Sequence, residues 1–570
     1  MPSPHRKNGG KSRLATVTKI NGQPRWWRRG WARWTAASAL GVLGFLAFSA
    51  IYVSRNLEPV LRRSVIETLE ARFHSPVELD HLDIALNDGV QVRGQGLRIL
   101  RLTAPRQTTA PSTIGTVTPM LSVDSFSFRT SLHDLVLLRA HLAHVEVDGM
   151  ELHVPPDRSE LLPRPRGTSR LKVHLTVGEI HCAHTRLVLE TSKPGKEPLE
   201  FDIQNLQLTD TGGGRPMLYV ADLINPKPVG DVHAFGHFGP WQGADPRTTS
   251  LDGDYRFDHA DLSTIHGIGG TLSSTGHFYG ELANINVDGT TATPDFSIDV
   301  SQHPVPLHTQ FHAIVDGTTG DTTLAPVRAT LLHSQFTAAG TVVSIRGVGH
   351  DIALDINMPR GRIEDLLQMG MKTWPPVMRG AVTMKAKLHI PPGKERVAQK
   401  LELAGRVQIQ QVEFTNPHVQ DRIDGLSLRA QGKPGEVQSV TSDGRAEVAS
   451  QMAVDFSLAH ALLTATSLHY QVPGAQVDMH GVYSMDGNLF EFKGHVRTDA
   501  KASQMVTGWK SKLLRPFDPL FARDGAGLQL PIAVSGTTGD IHFGLAMHGT
   551  DETPQAMAAE MRAKRRSEHE

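Results

Sequence analysis

PVELDHLDIALNDGVQVRGQGLRIL, residues 76–100, sets the period that most of the chain then keeps. Val77 and Leu79, then Leu82, Ile84 and Leu86, mostly recur at steps of two, the spacing at which an extended chain returns to one face. Asn87-Asp88-Gly89 supplies turn residues, and Val90 and Val92 begin a return strand. The stretch reads as a hairpin with one apolar and one polar face.

Upstream the period is different. Leu61, Val65, Leu69 and Phe73 recur every fourth residue with Arg62, Arg63, Glu67 and Glu70 between them, and Pro59 lies near the start. This predicts a short amphipathic helix, read as capping the end of the following sheet in preference to binding a membrane surface. Before it, Trp34–Val53 (WTAASALGVLGFLAFSAIYV) carries no charge over 20 residues, and at about 1.5 Å per residue it matches a hydrocarbon core about 30 Å thick. Residues 1–33 hold nine Lys or Arg and no acid, and Trp26, Trp27, Trp31 and Trp34 stand where an interfacial belt belongs. The expectation is one uncleaved membrane anchor with its N-terminus in the cytoplasm. A cleaved signal peptide is the competing reading, disfavoured by the length of both segments.

Downstream the two-residue period continues for almost four hundred residues. Val145, Val147, Leu152 and Val154 alternate with Glu146, Asp148, Glu151 and His153, and Val173, Leu175 and Val177 with Lys172, His174 and Thr176. Leu187 and Leu189, Ile203 with Leu206 and Leu208, Ile352, Leu354 and Ile356, Leu401 and Leu403, Val407 and Ile409, and Phe490 with Phe492 follow the same pattern. Residues 103–118 are rich in Pro and Thr and read as a surface loop. Asp288-Gly289-Thr290-Thr291, Asp316-Gly317-Thr318-Thr319 and Ser535-Gly536-Thr537-Thr538 read as near-copies of one turn, and Gly236-His237-Phe238 resembles Gly276-His277-Phe278. Such imperfect repetition favours a stacked, quasi-repetitive sheet. Arg362–Met371 and Ala502–Leu514 interrupt it as short helical inserts expected over an open face or end of the sheet. After Thr550 a charged stretch without aromatics reads as a frayed helix or disordered tail.

Composition agrees with many short elements, since 53 Gly and 35 Pro stand against 6% aromatic residues. Lys plus Arg equals Asp plus Glu at 58 each, so no global field recruits nucleic acid. The single cysteine, Cys182, excludes an internal disulfide framework. No Walker A loop, dinucleotide fingerprint, nucleophile elbow or H-E-x-x-H helix is present, so neither an energy source nor a common hydrolytic centre is indicated. The His181-Cys182-x-His184 cluster, preceded by His174, has ligand chemistry suited to zinc or copper. In a strand, however, His181 and Cys182 point to opposite faces, and His184 falls opposite His181. Its histidines read as solvated and Cys182 as a buried small hydrophobe. Glu364 and Asp365 read as an exposed helix face. We expect no enzyme, metal or cofactor.

An amphipathic sheet hides its apolar face in a sandwich or closed barrel, under helices, or by curling around apolar ligand. Periodicity leaves these open, with packed sandwiches ranked first.

In the order of its parts the chain resembles the AsmA-like proteins of the bacterial envelope. The resemblance lies in the basic tail, the anchor, the helix LEPVLRRSVIETLEARF, the strand pair quoted first and SFSFRTSLHDLVLLRAHLAHVEVDGMELHVPP. Late in the chain it lies in FKGHVRTDAKASQMVTGWKSKLLRPFDPLF followed by LQLPIAVSGTTGDIHFGL. It implies a mainly β architecture: one N-terminal transmembrane helix, then an elongated twisted β-groove with a few short helices, related in design to bridge-like lipid transfer proteins. The corresponding division is a cytoplasmic tail (1–33), transmembrane helix (34–53), juxtamembrane helix (54–74), periplasmic β-groove (75–498), C-terminal AsmA-like segment (499–549) and charged tail (550–570). The implied place is the inner membrane, single-pass, with the bulk periplasmic. The implied work is phospholipid transport toward the outer membrane, with phospholipid, the inner membrane and an outer-membrane or periplasmic acceptor as partners. Candidate acyl-chain contacts are Val145, Val147, Leu152, Val173, Leu175, Leu187, Leu189, Leu354, Leu403 and Ile409. The same pattern equally suits a structural or regulatory envelope-assembly protein that carries no lipid.

Overall fold

The computed structural model describes residues 75–86, 90–103, 116–131, 141–155, 176–211, 215–242, 245–436, 449–485, 489–521, 527–537, 540–545 and 552–569, with Pro59 and residues 61–63, 65–70 and 73 of the preceding helix. The tail 1–33, the apolar stretch 34–53, the turn Asn87-Asp88-Gly89, most of the Pro/Thr-rich loop, and Val173 and Leu175 lie outside them. Among the described residues no helix is long and apolar enough to cross a membrane. Residues 64–570 form one compact unit, and it is mainly β.

Its strands follow the chain in order. They are β1 (Val77–Leu86), β2 (Val90–Thr103), β3 (Thr116–Thr130), β4 (His141–Val154), β5 (Thr176–Leu189), β6 (Leu199–Thr209), β7 (Met217–Pro226) and β8 (Val229–Phe238). Next come β9 (Ser250–Asp261), β10 (Ile268–Gly269), β11 (Thr271–Glu281), β12 (Asn284–Ile298), β13 (Val305–Asp316), β14 (Thr322–Leu331), β15 (Ser334–Ile345) and β16 (Gly349–Arg362). The series ends with β17 (Met378–Ile390), β18 (Glu402–Phe414), β19 (Gln451–Ala459), β20 (Leu462–Val472), β21 (Ala475–Ser484), β22 (Leu489–Thr498), β23 (Leu528–Thr537) and β24 (Asp540–Leu545). Each pairs with the next, except that the two-residue β10 pairs only with the far end of β12 while β9 pairs with β11. All pairs are antiparallel save β4–β5. The predicted first hairpin is present, with Leu86 opposite Val90. The result is a long unclosed sheet rather than a series of sandwiches.

A line of irregularity crosses the first strands. Gly96 and Gly149 have φ of 67° and 65°, and His184 has φ of 51°. A side chain on Gly96 would meet the Asp80 carboxylate, and one on Gly149 the Asp124 carboxylate, so these two positions need glycine twice over. The irregular level resets the alternation in each strand without breaking the register, which is why the apolar set of β1 steps from Leu79 to Leu82.

The sheet is rolled so that its two long edges meet. The loop between β5 and β6 lies at one edge, and the β13–β14 and β15–β16 turns lie at the other. Lys193 Nζ nevertheless donates to Asp316 at 3.0 Å, and Lys196 Nζ to Asp321 at 2.6 Å and to the Ser344 carbonyl at 2.8 Å. Arg346 N donates to the Gly195 carbonyl at 2.9 Å, and Gly347 N to Glu197 at 2.9 Å. Further along, Val397 N, between β17 and β18, reaches the His266 carbonyl, between β9 and β11, at 3.0 Å. Accumulated strand twist, of about 20–25° per step, brings edges together that a flat ribbon would hold apart.

Among the described residues that follow β1, helices α1 (Ile363–Gly370), α2 (Pro417–Ala430) and α3 (Pro554–His569) pack on this sheet. α1 realises the first helical insert, but Asp365 is not exposed. Only 3% accessible, it accepts from Ser334 Oγ at 2.7 Å and His333 N at 3.0 Å, fastening α1 to the β14–β15 turn. α2 spans a stretch in which no helix was expected. Asn416 caps it by accepting from His418 N, Pro417 takes its first turn, and Ile423, Leu426 and Ala430 pack into a core with Ile409, Met452, Tyr470 and Val477. The tail after Thr550 is likewise an ordered helix, because Met557, Ala558 and Met561 are buried against Leu462 and Val482. Truncating Met557 and Met561 to alanine should cost about 2 kcal/mol each. Hydrogen exchange should then accelerate in α3 while β20–β21 stay protected; unchanged exchange in α3 would show that the contact holds nothing.

Candidate functional site

The ladder registers join one residue from each strand into a single row. It begins Ile84, Val92, Phe128, Val145, Ile180, Leu208, Tyr219 and Gly236. It continues through Gly253, Phe278, Val287, Ala313, Leu324, Gly340, Leu354 and Leu388. It ends with Leu403, Leu458, Leu463, Tyr483, Phe490, Gly536 and Ile541. No member is charged, and no strand of the main ladder is skipped. At about 4.8 Å per strand the row runs on the order of 100 Å along the ladder.

Parallel rows lie on the same face. Val147 is joined to Phe126 and Cys182, and Leu152 to Leu121 and Leu187. The face is the concave one: Leu189 and Leu199 of β5 and β6 pack with Phe238 and Leu251 of β8 and β9, all from this side, together with Trp241 and Leu282. Phe73 of the preceding helix adds its ring 6.1 Å from that of Trp241, so the helix end packs against this cluster.

Glycine and aromatic residues alternate across the middle of the face. A side chain on Gly253 would collide with the Tyr219 hydroxyl, and one on Gly289 with the Phe311 ring and the Tyr255 hydroxyl. Rings thus lie over bare backbone, which thins and bends the sheet while keeping the surface apolar. This explains why Asp288-Gly289-Thr290-Thr291 is not a turn. It sits within β12, paired to both neighbours, whereas Asp316-Gly317-Thr318-Thr319 makes the tight connection expected; Thr538 of the third near-copy lies outside the described residues.

All eight described candidate contacts lie on this face, in two settings. Leu189 and Ile409 are core residues, 3% accessible each, and Ile409 lies in the cluster packed by α1 and α2. Val145 is also buried at 9%, whereas Val147, Leu152, Leu187, Leu354 and Leu403 are half-buried. The second setting is where a ligand could lie. Sequence reading missed the glycines, Tyr219, Tyr255, Phe278 and Phe311, and the repeated Gly-His-Phe was the signal for them.

The opposite face is polar and self-satisfied. His277 Nδ1 lies 3.0 Å from Asp254, His312 Nδ1 2.9 Å from Asp288, and Arg406 holds Asp455 with two bonds of 2.6 and 2.7 Å. His389 sits between Glu402 at 3.0 Å and Asp351 at 2.9 Å, and those carboxylates raise its pKa above the ordinary value. His181 is exposed and Cys182 fully buried, as alternation requires. His184 departs from expectation: its positive φ at the irregularity puts it on the exposed side, where Nδ1 meets Asp148 at 2.9 Å. Burial pushes the Cys182 thiol up to about 12, leaving it un-ionised and unreactive. Among the described residues no three His, Cys, Asp or Glu side chains could hold a metal ion together.

No family model, no curated protein and no solved structure matches the chain.

Proposed function

We propose that this chain is an AsmA-like, inner-membrane-anchored periplasmic protein whose concave apolar face binds acyl chains and assists phospholipid transport in outer-membrane biogenesis. The observation that carries the reading is the unbroken uncharged row from Ile84 to Ile541. A monomeric globular core needs no such continuity, since its apolar residues converge on a centre instead of running strand to strand. An acyl chain on the row leaves water at about 0.8 kcal/mol per CH₂, yet moving it by one strand exchanges one apolar contact for another. Displacement along the row is therefore easy and escape costly. Headgroups stay in water at the meeting edges. The chain carries no fuel-using motif, so net direction comes from a lipid gradient or an acceptor.

A photocrosslinking residue placed at Leu354 or Leu403 of the full chain tests this. Both should yield phospholipid adducts by mass spectrometry, while the same probe at Lys387, on the opposite face, should yield none. Absence of lipid adducts from Leu354 and Leu403 would leave a structural envelope role as the better reading.

A further inference from the structure

Between β22 and β23 the chain forms a helical run, α over Trp509–Leu514 and 3-10 over Arg515–Phe517. Trp509, Leu513 and Phe517 recur every fourth residue, which places them on one side of it. They are 70%, 59% and 47% accessible, so this apolar side has no partner among the described residues. In the first part of this insert, expected over an open face or end of the sheet, Ser503 is buried and Met505 and Val506 are half-buried. That part also holds the run in place: Ser503 donates from N and Oγ to the Asp518 carboxylate at 2.9 and 2.7 Å. The exposed side is thus presented from a fixed base.

Its charge identifies what it fits. Lys510, Lys512 and Arg515 are exposed around the apolar side, and no acid occurs from Ala500 to Phe517. We propose that Trp509–Phe517 docks on the surface of an anionic phospholipid bilayer. A tryptophan, two large apolar residues and three cations on one short helical run are the composition of an interfacial segment, in which apolar side chains enter the headgroup boundary and cations meet lipid phosphate. A second copy of the chain is a poorer match, because two such surfaces would set three cations against three. The segment belongs to the last strands of the ladder, at the opposite end of the strand order from β1. The proposal does not rest on acyl-chain binding by the concave face, and the two fail separately.

The full chain, with its N-terminal apolar segment held in a nanodisc, is mixed with separate vesicles of phosphatidylcholine containing about one part in three phosphatidylglycerol and floated. The unaltered chain should rise with the vesicles. Trp509→Ser with Leu513→Ser and Phe517→Ser should weaken this about tenfold, as should Lys510→Gln with Lys512→Gln and Arg515→Gln, and pure phosphatidylcholine should capture little. All six positions are exposed, and circular dichroism together with crosslinking from Leu354 checks that fold and face are intact. Equal flotation of the triple variants and the unaltered chain would overturn the proposal, as would no flotation of any. So would a self-association, seen in solution without vesicle binding, that the serine variant abolishes.

Discussion

Leu354→Glu is expected to stop lipid passage while leaving the protein folded. Leu354 is half-buried on the concave face, with Gly340 and Leu388 as its partners in the row. In the empty protein the new carboxylate remains in contact with water, so far-UV circular dichroism and thermal unfolding should barely change. With an acyl chain beside it, the same carboxylate faces hydrocarbon, an environment that disfavours charge by about 3 kcal/mol. That corresponds to a local occupancy about 100-fold lower. Because the row is serial, one interruption matters more than its share of the length. Transfer between donor and acceptor vesicles should fall by about that factor, and crosslinking from neighbouring Leu403 should disappear. Crosslinking from Val145, many strands earlier, should persist. Lys387→Glu on the opposite face serves as the control, since it alters charge by more and should alter transfer by nothing comparable. Transfer by Leu354→Glu at the unaltered rate would rule out the row as the path.

The row also shows how far the sequence can be read. Alternation identifies the face of Val145, Val147, Leu354 and Leu403 because each strand carries its own two-residue period. It also favours a long quasi-repetitive sheet, because near-copies recur without a common centre. It cannot decide between packed sandwich and rolled ribbon, since that depends on contacts between edges such as Lys196 with Asp321, which no local pattern encodes. α2 escapes notice for a related reason. Val419, Ile423, Leu426 and Ala430 have helical spacing, but Gly425 and the polar residues around them dilute the signal, and burial against β18–β22 supplies what propensity does not. α3 looks disordered by charge alone; two methionines and an alanine settle its place only because Leu462 and Val482 break the polar face opposite them. Ile409 and Leu354 are indistinguishable in sequence, and only the helices above Ile409 make one a core residue and leave the other half-open.

The second large effect concerns a charge buried where the first strands meet. The Arg101 side chain is 4% accessible and pairs with Glu190 beyond β5, which also accepts from His153 Nδ1 of β4 at 2.8 Å. Arg101 thus ties β2 to the far side of β3–β4, and removing it strands a largely buried carboxylate. Arg101→Ala should lower the free energy of local opening by about 3 kcal/mol, read as lost amide protection in β2 and β5. Arg101→Met combined with Glu190→Met should recover most of that protection, because two apolar side chains leave no unpaired ion. The loss should also depend on pH. Glu190 is pushed up by burial and pulled down further by its bonds from His153 and Arg101, ending below its ordinary 4.5. Its contribution is present above that value and is lost as pH falls through the lowered pKa. His153 is raised above 6.5, chiefly by its bond to Glu190 against an opposing effect of burial. Its contribution is full below 6.5 and is lost as pH rises through the raised pKa. Between those limits a protonated His153 still compensates Glu190 when Arg101 is gone; at higher pH no other described cation pairs with it. The penalty of Arg101→Ala should therefore be smaller near pH 5.5 than near pH 8.5. A penalty that is equal at both would mean that His153 does not share the carboxylate with Arg101, and the tie would then rest on the guanidinium alone.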